Sequence, residues 1–188
     1  MRRSIPLIAL ITAMLALVAA PALARADDKG QLGEADKQFL RDALQGVMIQ
    51  ADLSRLARER SDNEHVKRFA EEMVGGLNKL ENDLRTRAES HDMEIGSKAN
   101  KGQKATDERL SKLHGGDFDV QYMSEQVATL QSLVDMFDRE VKKGESASLK
   151  DFAQRKGEDL RERLDRAKAL YKDVKDVQGR DDNRKHDR

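Results

Sequence analysis

Metal or acid–base chemistry needs donor side chains at fixed spacings, and the four histidines, His65, His91, His114 and His186, are the first place to look. Di-iron and di-manganese centres in helical proteins use inward glutamates with Glu-x-x-His pairs, because carboxylates bridge the metals and imidazole completes each shell. Three residues before the histidines stand Asp62, Ala88, Ser111 and Asn183, so no such pair exists. Asp62 and His65 form the one carboxylate–imidazole pair at that spacing and are the candidate metal ligands. Both fall where a helix is expected to start, and capping and solvent exposure explain them better than a metal does. His91 and His114 flank an expected loop, and His186 sits in a charged tail. Nucleophilic chemistry lacks its parts: cysteine is absent and no serine has a Gly-x-Ser-x-Gly setting. No phosphate loop or dinucleotide fingerprint occurs. No catalytic residue, cofactor or enzymatic activity is therefore expected.

The first residues determine the compartment. Met1-Arg2-Arg3 is a short basic start, Ile5 to Ala20 is an almost unbroken apolar run, and Ala24-Arg25-Ala26 offers the small-x-small pattern of a cleavage site. This order is that of a secretory signal peptide over residues 1–26, cleaved before Asp27. The apolar run is shorter than the ~20 residues that span a bilayer, so no stable transmembrane segment is expected after cleavage. The signal takes three basic and no acidic residues, leaving 32 basic against 35 acidic in the mature chain. A net charge of −3 is unsuited to wrapping a nucleic acid. With no cysteine, packing has to supply the stability that disulfides give other exported proteins.

Both prolines, Pro6 and Pro21, lie in the signal, and the mature chain is rich in helix formers. Phe39, Ala43, Leu53 and Ala57 share one stripe of a first helix from Asp36 to Arg60, widened by Leu40, Leu44, Val47 and Ala51 and interrupted by Gly46 and Gln50. Ser61-Asp62-Asn63-Glu64 reads as a capping box that starts a second helix. Val66, Ala70, Met73, Leu77, Leu80 and Leu84 form its stripe, with Gly75-Gly76 inside as a kink or a place of close approach. His91 to Lys104 reads as a loop, and Thr106 to His114 as a short helix presenting Leu110 and Leu113. Val120, Met123, Val127, Leu130, Val134, Phe137 and Val141 define a third long helix from Asp119 to Lys143. Gly144 stops it, and Ser146 or Ser148 caps a fourth helix carrying Leu149, Phe152, Leu160, Leu164 and Val174. One apolar face per helix demands mutual burial, so an all-α antiparallel four-helix bundle with one long middle connection follows.

The segment from Asp36 to Leu170 resembles an exported bacterial family, domain of unknown function 4142. The likeness is carried by Phe39, Leu56-Ala57, Val66-Lys67-Arg68-Phe69-Ala70 and Met73-Val74. It continues through Phe118-Asp119-x-x-Tyr122, Gln126-Val127, Leu149-Lys150-x-Phe152-Ala153 and Leu164-x-x-Ala167-Lys168-x-Leu170. The resemblance implies a ferritin-like four-helix bundle and, through the family's bacterial setting, the periplasm. It also marks departures. In the family pattern Met-Val is followed by an acidic residue and a histidine, where this chain has Gly75-Gly76-Leu77. Leu130 and Arg163 stand where histidines are common, and Gln50 stands where the first helix has a glutamate. Were those polar residues a metal or proton-handling cluster in relatives, this chain would lack the ligands.

The expected organisation is a signal peptide (1–26), a linker (27–35), a helical bundle (36–176) and a charged disordered tail (177–188). The expected role is an exported, non-catalytic interaction or stress-protective module of the cell envelope, monomeric or dimeric, with an unidentified protein or envelope partner. Ferritin-like iron or manganese binding is the alternative. Attachment to lipid or cell wall through Arg180 to Arg188 is a third possibility.

Overall fold

A computed structural model describes residues 32–94, 106 and 108–186, which are helical apart from short turns. The signal sequence and its cleavage residues Ala24, Ala26 and Asp27 lie outside the described residues, as does most of the expected loop. Four long helices carry the fold: α1 (Glu34–Arg60), α2 (Glu64–Glu89), α3 (Gly115–Lys143) and α4 (Ala147–His186). α1 packs along α2 and α3 along α4, giving two helical hairpins. The hairpin backbones approach most closely through α1 and α3, whereas α2 and α4 meet mainly through side chains.

Two contacts set the chain directions. Asp36, at the start of α1, reaches the α3–α4 turn, and Ser61, at the end of α1, reaches Asp119 at the start of α3. α1 and α3 are therefore antiparallel, and α2 runs parallel to α3. The connection over 90–114 must then begin at one end of the helices and finish at the other, roughly 39 Å away for the 26-residue α2. That is the physical reason it is long while the other two turns are three residues each. Leu110 of this connection is fully buried, and Arg60 Nη1 donates to the Ser111 carbonyl at 2.6 Å.

The hairpins also repeat each other. Val66-Lys67-x-Phe69-Ala70 and Leu149-Lys150-x-Phe152-Ala153 are 83 residues apart, as are Asp36 and Asp119 and the helix-start residues Asn63 and Ser146. The aromatic centre is shared: Phe137 meets Phe39 edge-on at 5.1 Å and Phe152 at 6.3 Å. Gly46 lets α1 come close to α3, since a Cβ there would stand 2.8 Å from Leu133 Cδ2.

Several expectations change in detail. The α2 cap is Asn63, whose side-chain oxygen accepts from His65 N at 2.9 Å and Val66 N at 3.4 Å. Ser61 is instead drawn into the hairpin contact, so Ser61–Glu64 is not a capping box. Gly75-Gly76 produces no break in α2. The linker is shorter than expected, because Leu32 already packs on the core and α1 begins at Glu34. The expected disordered tail 177–188 is helical to His186. Gln178 Nε2 donates to Asp117 Oδ1 at 3.0 Å, tying α4 to α3 one turn past its last core residue, Val174. Beyond that tether the helix continues through residues with no proline and one glycine, Gly179, which costs about 1 kcal/mol.

Replacing the cap, Asn63→Ala, leaves two amide donors without their acceptor. The expected loss is about 1 kcal/mol, or roughly 3 °C in Tm for a chain of this size, read by thermal denaturation followed by circular dichroism.

Candidate functional site

The residues singled out by spacing do not gather into one site. Asp62 and His65 are exposed at the α1–α2 turn. His65 contributes only its backbone N–H to the Asn63 cap. His91 follows α2 and His114 precedes α3, so the crossover places them at opposite ends of the helices. Among the described residues there is no group of three or more His, Cys, Asp or Glu side chains able to hold a metal ion. Leu77 and Leu130 are 1% and 0% exposed within the core. Arg163 lies half-buried on α4 with its guanidinium directly over Gly76 of α2.

The polar interior that does exist lies along the α1–α3 seam. Gln50 and Ser54 of α1 and Tyr122 and Gln126 of α3 are all fully buried. Ser54 Oγ donates to the Gln50 carbonyl at 2.8 Å, and Tyr122 Oη and Gln126 Nε2 reach Ser54 Oγ at 3.4 and 3.5 Å. Gln50 Nε2 donates to the Gln126 carbonyl at 3.4 Å. The side-chain oxygens of both glutamines have no partner among the described residues. Burial pushes the Tyr122 hydroxyl far above its ordinary range, so it stays a neutral donor.

Two buried carboxyl sites bracket this layer. At one end, Ser61 Oγ donates to Asp119 Oδ1 at 2.5 Å, while burial raises the Asp119 pKa against that stabilising bond. At the other, Asp36 accepts from the backbone N–H groups of Glu145 and Ser146, both at 2.9 Å. Glu140 packs beside Asp36 and shares a hydrogen bond with it. Its pKa is raised to about 7, first by burial and then by the neighbouring Asp36 carboxylate, with Lys150 opposing. Gly144 makes room there, since a Cβ would stand 2.5 Å from Glu140 Oε1 and 2.7 Å from the Glu140 carbonyl oxygen.

Sequence reasoning missed most of this set. Of the third-helix stripe, Met123, Leu130, Val134 and Phe137 are buried but Val120, Val127 and Val141 only partly so, and the inward face also carries Asp119, Tyr122, Gln126, Leu133 and Glu140. Polar residues at inward positions look like solvent-facing ones when periodicity is judged by hydrophobicity alone. The available signal was Phe118-Asp119-x-x-Tyr122 with Gln126-Val127, which carried the family resemblance without a structural role.

The Glu140 pair has a directional pH consequence. A carboxyl whose folded pKa lies above its ordinary value of 4.5 contributes stability that is full below about pH 4.5 and is lost as pH rises through about 7. Glu140→Gln keeps the shape and removes the ionisation. We expect it to melt several degrees above the parent at pH 8 and within about 2 °C of it at pH 5. Parallel pH-dependent slopes in a thermal-melt series would show that Glu140 is not the titrating group.

Comparisons with known proteins add to this geometry. No match among curated proteins was found. A solved structure with the same fold is that of a Streptomyces coelicolor protein described as a predicted secreted protein, domain of unknown function 305. It superposes with a TM-score of 0.65 at 18% identity, covering 74% of this chain and 92% of the other. The profile of the domain of unknown function 4142 matches residues 21–170, which contain the two Asp-bearing helices, both hairpin turns and the whole glutamine layer. The chain belongs to the DUF4142 family.

Proposed function

We propose that the chain is an exported, ferritin-like antiparallel four-helix bundle that works without catalysis in the cell envelope, in the periplasm, as an interaction or stress-protective module. The observation that carries this reading is the filled interior at the positions where the family pattern is polar. Leu77 and Leu130 are packed core side chains that offer no donor atom. Gln50 is a neutral amide whose nitrogen is engaged with the Gln126 carbonyl. Arg163 is a permanent cation in the space over Gly76, and a guanidinium cannot ligate a metal ion. The residues present therefore do not fit an iron or manganese centre. The two departures at 76 and 163 are complementary in volume, since the larger side chain lies over the position that has none.

Export is supported by the basic, apolar and small-residue order of residues 1–26 and by the description of the Streptomyces neighbour as secreted. No helix among the described residues is long and apolar enough to cross a membrane. The charged faces of α2 and α4 suit contact with a polar partner or with solvent.

Elemental analysis of the mature protein, purified without chelators or a histidine tag from its native compartment, tests the reading. Less than about a tenth of an equivalent of iron or manganese is expected, with Tm shifts below about 1 °C on adding either ion, because a ligand that binds the folded state must raise Tm. Stoichiometric metal would overturn the filled-interior argument and make redox chemistry the leading activity.

A further inference from the structure

The backbones of α2 and α4 approach each other far less than those of the paired helices in each hairpin, and long side chains bridge the seam between them. A groove of about 400 Å³ lies there, floored by Leu77, Leu80 and Leu160. Its size falls within the range of small-molecule sites. The Arg163 guanidinium projects into it across Gly76. Among the described residues that guanidinium has no carboxylate partner, and its only polar contact is Met73 Sδ at 3.9 Å. The nearby cations behave differently: Lys156 is paired with Asp83 at 2.9 Å, and Arg166 with Glu72. Lys79, on the same wall as Gly76, also forms no ion pair among the described residues.

We propose that this groove is an oxyanion site, in which Arg163 holds a phosphate group through its guanidinium fork and Lys79 supplements the charge from α2. A planar fork matches two oxygens of one phosphate, a geometry a lysine cannot reproduce. Gly76 is central to the arrangement, because a side chain at this position would displace the guanidinium from the groove. Asp159 and Glu162 also line the groove, so the lining carries four cations and three anions. That thin excess sets the expected strength: weak, salt-dependent binding rather than tight capture. The phosphate could belong to a soluble molecule or to a lipid headgroup, and the chemistry at Arg163 is the same for both.

The test uses the mature chain at low ionic strength, with the backbone amides of Gly75 and Gly76 followed by NMR. Inorganic phosphate is one probe, and phosphatidylcholine vesicles doped with phosphatidic acid, scored by co-flotation, are the other. Saturable binding is expected with a Kd of about 1 mM or tighter. Arg163→Gln should weaken it by about tenfold or more, and Arg163→Lys, which keeps the charge and loses the fork, by less. A circular-dichroism melt of each variant confirms that it is folded. Saturation by phosphate, lost in R163Q, supports the site and assigns it a soluble ligand. Vesicle binding lost in R163Q supports it and assigns a headgroup. Absence of saturable binding to either probe, or equal binding by R163Q and the parent, overturns the proposal.

Discussion

Each hairpin turn in this protein is held by a carboxylate from the other hairpin. Asp36 receives the amides of Glu145 and Ser146 at the α3–α4 turn, and Asp119 receives the Ser61 hydroxyl at the α1–α2 turn. These contacts lie at opposite ends of α1 and α3, the pair of helices through which the hairpin backbones approach most closely among the described residues. Hydrophobic burial is non-directional and would accept several rotations and registers of one hairpin on the other. A buried carboxylate has fewer choices, because leaving it without donors costs several kcal/mol. The clamps therefore select one antiparallel register, and with it the crossover that the middle connection has to make.

That register brings Gln50 and Ser54 against Tyr122 and Gln126, a polar layer inside an otherwise apolar seam. The layer is imperfectly satisfied, since both glutamine side-chain oxygens lack partners. Glu140, next to Asp36, carries a further burden of the same kind. Polar groups of this sort contribute little net stability compared with apolar side chains of equal volume. Their effect is to discriminate between arrangements, while the leucine, valine, alanine and aromatic side chains of the core supply the favourable burial.

The outer helices are under fewer constraints. α2 and α4 each pack closely against their own hairpin partner and reach each other mainly through long side chains. The consequence is a groove whose lining is set by side-chain reach rather than by helix packing. Arg163 extends over Gly76 because no Cβ stands in the way. The absence of a side chain at Gly76 thus leaves the space in which a cation from α4 is presented.

The four long helices, the approximate limits of the first three and the apolar cores of α2 and α4 were legible in the sequence, because a 3.6-residue period of leucine, valine and phenylalanine is a local property of the chain. The extension of α4 to His186, through charged residues without that period, was not. The stop at Gly144 was legible for the same reason, and the α4 cap was narrowed to Ser146 or Ser148, of which Ser146 accepts from Leu149 N–H; each acts within four residues. The choice of Asn63 over Ser61 as the α2 cap was not, since Ser61 is diverted by Asp119, 58 residues away. Nor was the burial of Asp36, Asp119, Gln126 and Glu140, whose partners come from the other hairpin. Periodicity tells which residues share a helical face. Only the packing of α1 against α3 decides which polar residues turn inward, because their donors and acceptors exist only after the two hairpins have met.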